Sequence, residues 1–349
     1  MTLYAQRRKR LLSLAKGKQV VAMTAGNLYY LTDFFGSGIA IVHPDKTVVV
    51  TSPLEQDRAG EMCKEAEVVV TKKWREVGKE IERMVGKRDA LIDTYEPRFK
   101  SGRFTVKPEL FLDARRIKDP QEVERIAKAC AKTNKIYESL PSVMKPGVSE
   151  WEVAAEVMRL ATEQGMSPSN SDSSLGPVII ASGPHGAYGH SELSDRKLRS
   201  GDFVVADLFF RFEGYNSDET RTFAVGAASS EMKKHYEAVK EANAAALEAA
   251  TVGTSCGAMN DAAVKVLRKH RMDKLLNHSI GHGVGIDIHE MPGVYKGNKV
   301  KLARNDVVTD EPGVYLVGKY GIRIEDTLVV NGKRPEVLTR FTKDLVTCG

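Results

Sequence analysis

Cysteine is scarce. Cys63, Cys130, Cys256 and Cys348 are scattered through 349 residues with no C-x-x-C pair. That argues against a disulfide scaffold and a thiolate zinc site, and for reduced cysteines in the cytoplasm. Long apolar runs are missing too: none approaches the ~18 residues of a membrane span, so no membrane partner is expected. Neither sign of charge dominates, with 52 Lys and Arg against 46 Asp and Glu and a net charge of +6. No dense basic patch stands out, so no nucleic-acid partner is expected either. The N-terminal stretch MTLYAQRRKRLLSLAKGKQ is basic but lacks the apolar core and small-residue cleavage site of a secretory signal. It reads as an amphipathic surface helix. What remains is an ordinary globular composition, 42% hydrophobic and 28% charged. The length suits about two domains, each able to bury a core without disulfides.

Residues 1–112 alternate β-branched runs (19–25, 38–43 and 46–52) with charged helical stretches near 53–65 and 74–86, and a further strand over 90–95. His43-Pro44-Asp45 makes a hairpin turn between two of them. This is a small α/β domain without a catalytic cluster. Residues 113–349 form a second domain. Asp119 is the expected N-cap of a long helix, with Pro120 at the first position and Glu122 in the capping-box place. That helix is expected to stop near Pro141. A helix after Ser149 comes next, and the same order returns roughly 106 residues later around Gly253 and Ser255, a period that suggests two similar α+β halves.

Three stretches carry chemistry. In GDFVVADLFFRFEGYNSDETRTFAVG (201–226), Glu213-Gly214 reads as a two-residue hairpin turn. Asp207 then pairs across from Thr220, and Asp207 and Asp218 become diagonal neighbours on one face, roughly 7–8 Å apart at Cα. Two converging carboxylates repel unless a cation lies between them. HSIGHGVGIDIHEMP (278–292) gathers three of the eight histidines, His278, His282 and His289, among close-approach glycines. In VVTDEPGVYLVGKYGIRIEDTLVV (307–330), Glu311 precedes a Pro-Gly turn, and strand alternation puts Arg323, Glu325 and Thr327 on one face. Glu325 sits among apolar residues, where an unpaired carboxylate is costly. Asp207, Asp218, His282, Glu311 and Glu325 form an oxygen-rich set suited to two divalent ions of the Mn, Co, Fe or Zn type. Such a pair can activate a shared water.

At these residues the chain resembles the pita-bread (M24) metallopeptidases, the family of methionine aminopeptidase, aminopeptidase P and prolidase. D-x10-D, GHGxGxxxHE, T-x-E-P-G and R-x-E-D occur in the family's order over about 113–349, and NLYYLTDFFGSG (27–38) resembles the creatinase-type N-terminal domain. The whole length is most similar to Xaa-Pro peptidases. The resemblance implies an α/β N-terminal domain followed by an α+β pita-bread domain with an internal pseudo-twofold repeat. It also implies a dinuclear metal site. Asp207 would chelate one ion, Asp218 and Glu325 would bridge both, and His282 and Glu311 would complete the second. Glu311 would also exchange a proton with the attacking water. His190 would lie on the substrate side, and His289 would steady the scissile carbonyl. His278 would stand near the substrate pocket and Arg323 beside the metal carboxylates. The implied substrates are proline-containing dipeptides (prolidase) or longer peptides (aminopeptidase P), and the implied assembly is a homodimer.

Some similar prolidases carry an arginine shortly after the His-Glu pair, suited to a dipeptide's carboxylate. Here that stretch reads EMPGVYKG, with Gly293 at the position and Lys296 as its cation. Other readings are weighed against this one. Gly253-Thr254-Ser255-Cys256-Gly257 fits the G-x-S-x-G pattern of serine hydrolases, but that elbow joins a strand to a helix. An Ala-rich helix precedes it here, so Ser255 reads as a helix cap. A metal-free pita-bread binding module and a metal-independent creatinase-type amidinohydrolase share the architecture, but neither needs five matched ligands.

Overall fold

A computed structural model describes residues 1–169 and 178–349, which divide into two compact units, Met1–Arg115 and Arg116–Gly349. The first unit runs α1 (Leu3–Leu14), β1 (Gln19–Ala22), α2 (Ala25–Thr32), β2 (Gly38–Val42), β3 (Thr47–Thr51), α3 (Gln56–Met62), β4 (Ala66–Val70), α4 (Val77–Val85), β5 (Ala90–Ile92), β6 (Phe104–Val106) and α5 (Pro108–Arg116). Its mixed sheet has the order β4-β3-β2-β1-β5-β6. The expected hairpin between β2 and β3 is present, with Val42 opposite Thr47.

Three features of this unit depart from the sequence reading. The strand expected over 19–25 ends at Ala22, and α2 starts at Ala25 behind a Thr24 cap. Every residue from Gly26 to Thr32 is buried, so this helix has no polar face and shows no amphipathic period. The second departure is α1, which is not amphipathic in the expected sense, because Arg7 and Arg8 are buried. Arg7 Nη1 donates to Tyr30 O at 2.7 Å, and its guanidinium lies 4.6 Å from the Tyr30 ring centroid, so carbonyl and aromatic partners replace water. Third, β4 and β6 lie outside the expected strands; they are short outer strands with partly exposed, non-alternating residues.

The second unit continues with α6 (Pro120–Val143), α7 (Glu150–Glu163), β7 (Ser167–Pro168), β8 (Val178–Ser182), β9 (Phe203–Phe212), β10 (Tyr215–Val225), α8 (Ser230–Ala249), α9 (Cys256–Lys269), β11 (Gly281–Gly283), β12 (Glu290–Val294), β13 (Val307–Asp310), β14 (Gly313–Leu316), β15 (Tyr320–Arg323), β16 (Asp326–Val329), β17 (Glu336–Val337) and β18 (Thr347–Cys348). One sheet has the order β18-β10-β9-β7 with β8 also on β9. A second has β12-β11-β13-β16-β17, and β14 and β15 form a hairpin. The pair α6 and α7 packs one core against β8, β9 and β10. The pair α8 and α9 packs another against β12, β13, β15 and β16.

The two halves repeat in detail. Ser149 and Ser255 cap α7 and α9, each accepting from the N–H three residues on. Gly147 and Gly253, two residues earlier, hold left-handed φ values of 91° and 90°, which a side chain would disfavour. This is the α+β pair implied by the period. Helix α6 begins with the expected Asp119–Glu122 capping box but runs through Pro141 to Val143. A proline so near the end removes only one late hydrogen bond, and Met144 N still bonds Leu140 O at 2.9 Å.

Candidate metal centre and active-site pocket

The β9–β10 hairpin turns at Glu213-Gly214, both left-handed at 47° and 78°, and puts Asp207 opposite Thr220 and Asp218 opposite Phe209. Asp207 and Asp218 therefore look the same way. A bridge between Thr220 and Glu325 brings the second sheet against this hairpin. Glu325 sits in that bridge between β15 and β16, rather than inside one continuous strand. His282 comes from β11, and Glu311 from the turn after β13. These elements enclose a pocket of about 430 Å³ whose wall includes all nine singled-out residues: His190, Asp207, Asp218, His278, His282, His289, Glu311, Arg323 and Glu325.

Inside it, Asp218, His282 and Glu325 bring ligand atoms within 4.8 Å of one another, the only such metal-sized group among the described residues. His282 Nε2 lies 3.3 Å from Glu311 Oε1 and 3.5 Å from Asp218 Oδ2. His282 Nδ1 is 3.0 Å from Gly283 O, a contact that requires its proton on Nδ1. Burial holds the imidazole's pKa below its usual value. Nε2 of the neutral ring is then a bare lone pair aimed at two carboxylates. Burial first, then their neighbours' negative charge, pushes the carboxyls of Asp218 and Glu325 well above the usual range. Burial also raises Glu311, against the pull of His278 and Arg323. Arg323 Nη2 holds Asp207 Oδ2 at 2.5 Å, while buried Asp207 Oδ1 has no hydrogen-bond partner. The donors thus suit divalent cations: hard oxygens, one imidazole nitrogen with its other nitrogen bonded to a carbonyl, and too little positive charge of their own.

Around the donors stands a supporting ring. Thr220 Oγ1 donates to Glu325 Oε2 at 2.5 Å. The Tyr315 hydroxyl joins Arg323 Nη1 and His278 Nε2, each at 2.9 Å. His289 faces His282 edge-on at 4.3 Å between centroids, and burial together with the imidazoles of His282 and His190 pushes its pKa down to about 4. Ile179, Phe209 and Ile288 give the pocket one apolar side.

Sequence reasoning missed several positioning residues. Lys118 Nζ reaches Glu290 Oε2 at 2.8 Å in a buried ion pair, and Glu290 Oε1 accepts from Asp287 N at 3.1 Å. Asn216 Nδ2 donates to Gly285 O and Ile286 O. Together they fix the turn that presents Ile288 and His289. Glu290 is the acidic residue of the GHGxGxxxHE stretch, whereas Lys118 and Asn216 offered no signal beyond polarity, since their partners lie far away in the chain. Ser255 Oγ accepts from Ala258 N at 3.2 Å as the cap of α9, so the G-x-S-x-G pattern is structural.

Known proteins resemble this chain along most of its length. Residues 124–332 match the model of metallopeptidase family M24. A Pyrococcus furiosus protein described as an Xaa-Pro dipeptidase is 32% identical over 328 residues, 92% of each chain. Among solved structures, an Xaa-Pro dipeptidase from Bacillus anthracis superposes with a TM-score of 0.90 at 27% identity, covering 99% of both chains. An X-Pro aminopeptidase from Thermotoga maritima gives 0.87 at 25% identity, over 97% of this chain and 99% of that one.

Proposed function

This chain belongs to metallopeptidase family M24, and from that premise we propose that it hydrolyses the bond between an N-terminal residue and a following proline, with Xaa-Pro dipeptides as substrates. The observation that carries the reading is the bare His282 Nε2 facing the carboxylates of Glu311 and Asp218 across 3.3 and 3.5 Å. Four carboxylates against the single guanidinium of Arg323 leave a deficit of positive charge that two divalent ions would fill. Asp207, Asp218, His282, Glu311 and Glu325 would hold them, with manganese, cobalt, iron and zinc all compatible with the donors. Bound there, the ions would supply an activated water and polarise the scissile carbonyl.

The chain's own groups do the rest. Glu311, its carboxyl raised by burial, takes a proton from the attacking water and returns it to the prolyl nitrogen as the bond breaks. His289, kept neutral by its surroundings, donates an N–H to the carbonyl oxygen as negative charge grows there, with His190 on the same pocket wall. Arg323 fixes Asp207, and Tyr315 fixes Arg323 and His278. Proline offers no N–H at the scissile bond, so that side of the pocket needs shape more than acceptors. Ile179, Phe209 and Ile288 provide an apolar seat for its ring.

Under this reading the protein works in the cytoplasm, in keeping with four free cysteines, and as a homodimer whose N-terminal α/β unit serves as scaffold. Sedimentation of the purified chain tests the dimer. The activity is tested on Ala-Pro and Ala-Ala after chelation and re-addition of manganese or cobalt. Ala-Pro hydrolysis with Ala-Ala at least about tenfold slower supports the assignment; equal rates, or none, contradict it.

A further inference from the structure

Glu150, the first residue of α7, is fully buried and lies outside the wall of the metal pocket. Its Oε1 accepts from Ser182 N at 2.8 Å and from Ser182 Oγ at 2.7 Å. Its Oε2 accepts from Ser194 Oγ at 2.6 Å and faces His185 Nδ1 at 2.9 Å. An ionised carboxylate offers about four acceptor sites, where an amide of the same shape offers half as many. Serine, histidine and glutamate meet here without forming a nucleophilic triad. Ser182 Oγ donates to the carboxylate and accepts from Arg196 Nη1 at 2.5 Å, instead of facing the imidazole. Arg196 is itself held by both carboxylate oxygens of Asp202, at 2.7 and 2.9 Å.

These bonds enclose the segment from Ser182 to Ser194, which leaves β8 and carries His190 to the pocket wall. Ser182 opens the segment, Ser194 closes it and His185 lies within it, so one carboxylate ties both ends to α7. Between those ends Ser191 Oγ donates to His185 O at 2.6 Å, and Arg323 Nη1 donates to Gly189 O at 3.0 Å. A Cβ at Gly321 would collide with Gly186 O, so the segment lies backbone to backbone on β15. His190 is exposed and makes no side-chain hydrogen bond among the described residues. Its imidazole therefore goes where the backbone of the segment takes it. Arg323 does not depend on the segment in return. Thr220 Oγ1, the Tyr315 hydroxyl and Asp207 Oδ2 also hold it, at 3.1, 2.9 and 2.5 Å. A shift of the segment would thus move His190 and leave Asp207 and the other metal donors in place.

We propose that Glu150 is a positioning residue for the peptidase reaction: by holding Ser182, His185 and Ser194 on one buried carboxylate, it sets where His190 stands in the metal pocket. The proposal rests on the Xaa-Pro reading above, in which His190 lies on the substrate side. It is tested by a double-mutant cycle on the metal-loaded full chain, with kcat/KM for Ala-Pro measured in the wild type, Glu150→Gln, His190→Ala and the pair. Glu150→Gln keeps the shape but loses acceptor sites, and is expected to lower kcat/KM by about tenfold with metal per chain unchanged. In the His190→Ala background the same substitution is expected to change kcat/KM by less than about twofold, because the group it positions is gone. Ser194→Ala and His185→Ala each remove one donor at a partly exposed position, and they repeat the cycle where Glu150→Gln folds poorly. Each is expected to cost about threefold, again only while His190 is present. A residue that merely stabilises the fold would lower kcat/KM equally with and without His190, or would lower the bound metal, and either result overturns the proposal. An unchanged kcat/KM in all three variants overturns it too, and leaves the Xaa-Pro reading standing. Absence of Ala-Pro cleavage by the wild type overturns both.

Discussion

Three pairs of adjacent acidic residues, Asp218-Glu219, Asp310-Glu311 and Glu325-Asp326, divide between two faces of the same sheets. Asp218, Glu311 and Glu325 line the pocket with Asp207. Glu219, Asp310 and Asp326 are fully buried outside its wall. There the chain brings its own cations. Arg221 Nη2 lies 2.9 Å from both Glu219 Oε1 and Asp326 Oδ1, and Lys343 Nζ is 2.7 Å from Asp326 Oδ2. Burial alone would raise Asp326, but Arg221 and Lys343 hold its carboxyl below the usual range. On the pocket face, burial wins and Asp218 and Glu325 rise. Opposite treatment of neighbours is confined to the Glu325-Asp326 pair, since burial still raises Glu219 to about 8 and Asp310 well above the usual range. The back face is offset in part from within by two basic side chains centred on Asp326, and the front face is left with only Arg323 beside its four carboxylates. The first arrangement serves stability, and the second leaves a place for ions from outside.

That contrast breaks if front-face substitutions unfold the protein or back-face ones mainly affect turnover. Glu311→Gln is expected to lower kcat on Ala-Pro by about 10²–10⁴-fold with little change in the denaturant midpoint, because it removes the proton carrier while keeping an oxygen ligand. A kcat near wild type would contradict its role. His282→Ala is expected to lower the metal bound per chain, read by native mass spectrometry, and with it most activity.

On the back face, Arg221→Ala leaves two buried carboxylates without their shared guanidinium. It is expected to cost about 3–5 kcal/mol in chemical unfolding, a loss large enough to lower the yield of folded protein. Lys343→Met removes one of the two cations of Asp326 and should cost about 1–3 kcal/mol, with metal content intact. The smallest effect belongs outside both faces. Ser255→Ala should cost about 1 kcal/mol through the lost cap and leave kcat unchanged. A large fall in kcat would revive a nucleophilic serine.

The front face is readable because its signals are local. Glu213-Gly214 set the hairpin register, and alternation from that turn puts Asp207 and Asp218 together. Asp119 and Ser149 announce their helices through capping boxes. Glycine spacing around His282 and the T-x-E-P-G stretch around Glu311 mark two more candidate ligands, although only tertiary structure brings them to the hairpin, His282 beside Asp218 and Glu311 beside His282. The back face is opaque for the opposite reason. Arg221 meets Asp326, and Lys343 meets Asp326 and Asn243, across separations that no periodicity encodes. The same holds for Lys118 with Glu290 and for Tyr315 between Arg323 and His278. Helix α2 hides because total burial erases the polar stripe by which helices are recognised. The arginines of α1 look like surface residues because charge in a sequence carries no sign of a buried carbonyl partner such as Tyr30.

A joint titration decides whether the pocket face is built short of positive charge, so that divalent ions must complete it. Chelated protein is given back manganese or cobalt stepwise while bound metal per chain and Ala-Pro turnover are measured together. Negligible turnover is expected without metal, with activity that rises as ions bind and saturates at two per chain. Full turnover by the chelated protein, or activity that ignores the bound metal, would contradict it.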